Sequence, residues 1–263
     1  MFWLKQKKRR NLLAQLLLVM TFTQMFQAEH CQAATESITL IGEDDWYPYA
    51  GLQNGKLQGL AVDLIAAAYA AVNLKVEFQA APYARCLMLV ETGQALGCFD
   101  SLKDSNLSQR FLFHQVPVFE AEIGIYAPAD SNASGLRAED LRGQRLGLTH
   151  GYTYTDAIDR DPSILREEAP TDLSNLRKLL LRRSDYSLVY SRVVDYLQRR
   201  YAHEFRGKLK KVGTLTIDKL YVSFSKKRPE SQRQADLLDQ GLRLLKQDGS
   251  YDKIIQRWQN SAN

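Results

Sequence analysis

The stretch ITLIGEDDWYPYAGLQNGKLQGLAVDLIAAAYAAVNLKVEF, residues 38–78, decides the fold class. Residues 38–42 are a short apolar run that reads as a strand, and residues 44–59 read as a loop rich in aromatics and glycine. Gly59-Leu60-Ala61-Val62-Asp63 then opens an Ala-rich helix to residue 72, with Leu64, Ala67, Ala68 and Ala71 at helical spacing. Residues 74–78 alternate apolar and polar side chains, as a half-buried strand does. Working outward, Pro82 starts a second helix that ends at Gly93, and residues 96–99 form a third strand. The order β-α-β-α-β predicts a mostly parallel sheet with helices on its faces.

The same pattern returns in the middle of the chain. Residues 122–127 read as a strand and 128–135 as a polar connection. Residues 145–148 form a strand, followed by His150-Gly151 and a helix from Tyr152. Strand 165–168, a helix over 172–183 with Leu173, Leu176, Leu179 and Leu180 on one face, strand 187–189 and helix 192–200 complete a second α/β unit. Two strand-like runs, 209–216 and 219–225, come next. A helix from Pro229 carries Ala235, Leu238, Leu242 and Leu245 in register, breaks at Asp248-Gly249, and is followed by a last helix over 251–258. Two α/β units predict two lobes with a cleft between them, and open α/β sheets bind ligands at the carboxyl ends of their parallel strands.

The 263 residues suffice for one large domain or two small ones, and 45% apolar with 25% charged residues is an ordinary globular balance. The formal charge of +5 is concentrated at the N-terminus. Residues 1–34 hold Lys5, Lys7, Lys8, Arg9 and Arg10 against Glu29, so the remaining 30 basic and 29 acidic side chains leave +1. That near-neutral body argues against a nucleic-acid partner. The basic segment 5–10, the apolar run 12–22 and small residues at Cys31 and Ala33 read as a signal peptide, residues 1–33, cleaved after Ala33. The alternative, a membrane anchor, needs about 20 apolar residues, and Gln15 and Gln24 interrupt this segment. The mature chain is expected in the periplasm of a double-membrane bacterium. Cys86 and Cys98 then remain, and an oxidising compartment favours a disulfide over two buried free thiols. Only His114, His150 and His203 accompany them, none at metal-ligand spacing, so neither metal nor cofactor is expected.

Along the mature chain, a series of motifs resembles the family-3 extracellular solute-binding proteins, the polar amino-acid type that feeds ABC transporters. The carriers are Trp46-Tyr47-Pro48-Tyr49, Gly59-Leu60-Ala61-Val62-Asp63-Leu64, Pro82-Tyr83-Ala84-Arg85 with Gly93, and Arg110-Phe111-Leu112-Phe113 leading to Pro117. Gly143-Gln144-Arg145-Leu146-Gly147 leading to His150-Gly151, and the tail 244–258, complete them. The resemblance implies an α/β, two-lobed periplasmic binding protein fold. Lobe one would be residues 34–122 plus 223–263 and lobe two residues 123–222, with crossings near 121–127 and 218–225. It implies a monomer that closes its hinge over a small polar ligand and delivers it to an inner-membrane ABC permease.

The resemblance also implies a site. Arg110 matches the family's arginine that pairs with a ligand carboxylate, a task for a bidentate guanidinium. Asp100, Ser101 and Lys103 stand on the same loop, which is two residues longer than usual in the family. Gly151, Tyr152 and Thr153 match a strand-to-helix turn whose free N–H groups would bind an anion. Trp46, Tyr49 and Tyr83 are placed to sandwich a ligand or stack on a cation, with packing under the lobe edge as their alternative. Amino-acid binders of the family carry an acid for the ligand ammonium after the strand at 187–189. Tyr190-Ser191 stands there instead, and a tyrosine supplies no formal charge at neutral pH. A carboxylate-bearing or otherwise polar small molecule is therefore expected in preference to an α-amino acid, with Asp100 and Asp45 the nearest acids an ammonium would find. Two competing readings share the scaffold. One is a cyclohexadienyl (arogenate or prephenate) dehydratase, which needs a placed acid such as Asp100 or Glu120. The other is a sensory module for a membrane partner. The expectation is a binding protein and not an enzyme.

Overall fold

The computed structural model describes residues 37–260, so the expected signal peptide, residues 1–33, and its expected cleavage site lie outside the described residues. Strand β1 (Ser37–Glu43) leads into β2 (Asp45–Trp46), β3 (Ala50–Gln53) and β4 (Lys56–Gln58), then α1 (Leu60–Ala70), β5 (Lys75–Ala81) and α2 (Tyr83–Glu91). Strand β6 (Gly97–Leu102), α3 (Ser105–Arg110) and β7 (Phe111–Phe113) complete the first segment. The long strand β8 (Phe119–Pro128) opens the middle segment, with β9 (Arg145–Thr149), α4 (Asp156–Asp159), β10 (Leu165–Ala169) and α5 (Asp172–Leu180). Strand β11 (Tyr186–Tyr190), α6 (Ser191–Arg200) and α7 (Ala202–Phe205) follow, and β12 (Leu209–Ser225), α8 (Ser231–Gln247) and α9 (Ser250–Asn260) return the chain.

One sheet runs in the order β10-β9-β11-β8-β12-β6-β1-β5, with β7 also on β12. Strands β5, β1 and β6 are parallel at one end, and β10, β9 and β11 are parallel at the other. Between them β8 and β12 pair antiparallel from Leu209–Pro128 to Leu220–Phe119. The repeated α/β pattern therefore gives the two-lobed α/β fold, with the two long strands shared between the halves.

Four local readings change. The runs 209–216 and 219–225 are one 17-residue strand, because Asp218 between them pairs with Ala121 of β8 instead of turning. The loop 44–59 folds as the small sheet β2-β3-β4, since Asn54 and Gly55 both adopt positive φ and make the two-residue turn typical of hairpins. The segment 105–110, expected as a continuation of the loop that carries Lys103, forms α3, capped by Asp104, whose carboxylate accepts from Leu107 N at 2.7 Å. No helix starts at Tyr152. The Tyr154 hydroxyl turns inward to accept from Thr149 N at 2.9 Å, which holds the segment off a helical path until Asp156.

In the first half, α1 is buried on most of its circumference, including Leu60, Leu64, Ile65, Ala68 and Tyr69. It lies so close to α8 that a Cβ on Gly241 would stand 2.0 Å from the Ala68 carbonyl oxygen. Asp63 accepts from Arg257 and from Trp258 Nε1, both at 2.7 Å, and so fastens α9 to the same helix. Cys86 of α2 and Cys98 of β6 form a disulfide with Cα atoms 5.8 Å apart. It ties together the two elements that carry Tyr83 and Asp100. In the second half, Asp172 begins α5 and is 3% exposed. Thr149 Oγ1 donates to its Oδ1, while Oδ2 has no partner. Burial pushes its carboxyl up to about 7, with the Thr149 bond opposing.

Alanine in place of a mid-helix glycine normally adds about 1 kcal/mol to helix stability. Here Gly241→Ala should instead cost about 1–3 kcal/mol, because α1 and α8 must move apart; urea titration of the oxidised protein measures it. A carboxyl raised by folding holds its proton more tightly in the folded than in the unfolded chain. Its contribution is full below about pH 4 and is lost as the pH rises towards 7. Asp172→Asn should therefore differ little from the wild type near pH 4 and exceed it by roughly 3–4 kcal/mol near pH 8, read from paired urea titrations at the two pH values.

Candidate functional site

The carboxyl ends of β1 and β6, the start of α2, the turn after β9 and the end of β11 converge on one pocket. From the first half come Glu43, Trp46, Tyr83, Asp100 and Leu102; from the second come Tyr152, Thr153 and Tyr190. They close on a cavity of only about 20 Å³, room for a water or two, so a larger solute enters only when the walls move apart. Local sequence places each group. Pro82 caps α2 in an extended conformation and sets Tyr83 at the helix's first residue. Gly151, at φ 81, lets the turn after β9 approach α2, where a Cβ would stand 3.3 Å from Ala84 Cβ. Asp100 sits in β6 at φ 67, the left-handed region that aspartate tolerates better than most residues.

The halves meet across the pocket. The Tyr152 hydroxyl donates to Glu43 Oε1 at 2.7 Å. The Trp46 ring stands edge-on to Tyr190 at 4.8 Å between centroids, and Tyr83 stands edge-on to Tyr152 at 5.8 Å. Tyr190 in turn donates to Asp218 Oδ2 on β12 at 3.0 Å.

The carboxyl groups at the pocket, Glu43 and Asp100, face no basic side chain on its lining. Burial pushes the Glu43 carboxyl well above the usual carboxylate range; the Tyr152 bond lowers it, and Asp172, Asp100 and Asp44 raise it further. Burial alone pushes the Asp100 carboxyl up, and neither of its oxygens has a hydrogen-bond partner. The phenols of Tyr83 and Tyr190 are also raised by burial and stay neutral. No lysine or arginine is among the lining residues. Among the described residues, no group of three or more His, Cys, Asp and Glu side chains is arranged to hold a metal ion.

Six residues expected from sequence therefore meet here: Trp46, Tyr83, Asp100, Tyr152, Thr153 and Tyr190. Five do not line the pocket. Tyr49 lies behind Trp46, stacked on Phe119 at 5.0 Å, and belongs to the core. Ser101 is fully buried, its hydroxyl shared with Ser223 Oγ at 3.0 Å. Lys103 donates to the His114 carbonyl at 3.1 Å and covers the Tyr221 ring. Gly151 contributes backbone approach only. Arg110, expected as the carboxylate anchor, ends α3 on the surface and holds Glu91 with two hydrogen bonds of 2.9 and 2.6 Å. The anion-binding helix start expected at 151–153 is absent, because that segment is a turn. Glu43 and Leu102 were missed. Glu43 had a readable signal, as an acid at the carboxyl end of the first parallel strand.

No curated protein sequence matches this chain. Solved structures of low sequence identity share its fold. An ancestral arginine-binding protein bound to arginine is 20% identical with a TM-score of 0.72, covering 84% of this chain and 97% of its own. The arginine-, lysine-, histidine-binding protein ArtJ from Geobacillus stearothermophilus is 19% identical with a TM-score of 0.71, covering 85% and 95%. A histidine kinase sensor domain with similarity to periplasmic binding proteins is 22% identical with a TM-score of 0.72, covering 84% and 95%. The sequence profile of the bacterial extracellular solute-binding proteins, family 3, matches residues 38–261, and the chain belongs to that family.

Proposed function

We propose that this protein captures a small polar solute in the cleft between its halves and hands it to an inner-membrane ABC importer. The observation that carries this reading is the pocket's double origin: side chains from both halves line it, and Tyr152 reaches across to Glu43. Such a site is complete only when the halves are together, which couples binding to hinge closure. Lobe one is assigned residues 34–122 plus 223–263 and lobe two residues 123–222, because β8 and β12 cross between the halves near these limits. Export with cleavage after Ala33 and a periplasmic location agree with family membership and with the Cys86–Cys98 disulfide. The protein acts as a monomer in this reading.

The expectation of a carboxylate-bearing ligand rested on Arg110, whose guanidinium is engaged by Glu91 away from the pocket. Binding, not catalysis, is the role favoured here. A dehydratase acting on arogenate or prephenate would need cations for the substrate carboxylates, and the lining residues offer none. Glu120, the other acid considered for that chemistry, is exposed on β8.

Protein purified from its export compartment without unfolding should carry one small molecule, detected by native mass spectrometry and released on unfolding. After refolding without that solute, small-angle X-ray scattering should give a larger radius of gyration, which the solute restores. Identical scattering in both states, with no retained molecule, would count against capture by closure.

A further inference from the structure

Asp100 is the unexplained group of the pocket. It is 8% exposed, lines the cavity, and neither carboxyl oxygen has a hydrogen-bond partner. A buried polar group left unpaired costs free energy, and such groups concentrate where a ligand completes them. Glu43, 9% exposed, lines the same cavity and holds only the Tyr152 hydroxyl. Trp46, Tyr83, Tyr152 and Tyr190 supply the remaining walls. Aromatic faces attract cations through the ring quadrupole, more strongly when water is excluded.

We propose that the cleft binds a small organic cation, an amine or guanidine, whose charged head is held by Asp100 and Glu43 among these four rings, and that the ligand needs no carboxylate. The inference rests on the reading of this cleft as the solute site. A ligand carboxylate would face two acids and no basic side chain. Arg110 is held by Glu91, and Lys103 by the His114 carbonyl. The indole Nε1 of Trp46 is also buried without a partner. Neutral donors such as this indole and the Tyr83 and Thr153 hydroxyls on the lining bring no charge to hold a carboxylate beside two acids. An inorganic divalent cation would find no third His, Cys, Asp or Glu side chain here among the described residues. An organic ammonium or guanidinium suits both the carboxyls and the rings.

Matched pairs isolate the carboxylate. Agmatine, cadaverine and putrescine are arginine, lysine and ornithine without it. Calorimetry on solute-free protein should show at least one of the three amines binding about tenfold or more tighter than its amino acid. Asp100→Asn should weaken that binding by roughly a hundredfold. Asparagine tolerates the same backbone conformation, so the variant should melt no lower than the wild type. Arg110→Ala should leave amine binding within about twofold. An amino acid that outbinds its amine and is lost in Arg110→Ala would overturn the proposal, as would silence from all three amines. If a co-purified solute still closes the protein while these amines fail, solute capture stands and the cation assignment falls. If no solute closes it, both fall.

Discussion

The backbone ladder between β8 and β12 is the constraint on which the two halves depend. Each strand must satisfy its hydrogen bonds on both sides and still pass from one half to the other. Strand β12 pairs with β8 up to Leu220, and with β6 and β7 from there to Ser225. Its register slips between Lys211 and Gly213, between Thr214 and Thr216, and again between Tyr221 and Ser223. Such irregularities increase local twist and bend the strand. At Gly213 the Leu136 carbonyl oxygen comes within 2.1 Å of where a Cβ would stand, so the connection after β8 can pack onto the bent strand only where a side chain is missing. The Val222 N–H, beside the last slip, donates to His114 Nε2 at 2.8 Å, and Asp239 of α8 holds the backbone N–H groups of Gln115 and Val116. The crossing is thereby tied to the C-terminal helices.

The cleft is built against the preferences of a stable interior. Two carboxyls are buried there, and Asp100 is buried without a partner in a backbone conformation uncommon outside glycine. Structures keep such features at functional sites because the surrounding fold over-determines them. The Cys86–Cys98 disulfide, two residues from Asp100 and three from Tyr83, does part of that work, and α1, packed densely on α8, also packs on β5, the strand paired with β1. Rigid support of this kind holds the acids in place.

Much of this molecule was legible in its amino-acid order. Helical spacing of Leu64, Ala67, Ala68 and Ala71, alternation over residues 74–78 and their return in the middle segment all report local periodicity, which survives in any tertiary context. Trp46 and Tyr190, both expected at the cleft, do line the pocket: Trp46 from the aromatic loop after the first parallel strand, Tyr190 from the position where the resemblance places an acid. Asn54-Gly55 is an equally local hairpin signal, although the loop around it has little apolar alternation.

Tertiary structure decided what no window of sequence contains. Whether Asp218 breaks a strand depended on Ala121, nearly a hundred residues away. Whether residues 152–155 coil into a helix depended on Tyr154 finding Thr149 N. The same holds for Arg110. Its motif is local, but the direction of its guanidinium was settled by Glu91 on the preceding helix, a competing carboxylate that proximity alone brought within reach. Periodicity is a property of the chain and can be read from it; the pairing of one buried or charged group with another is a property of three-dimensional distance, and only the folded molecule sets it.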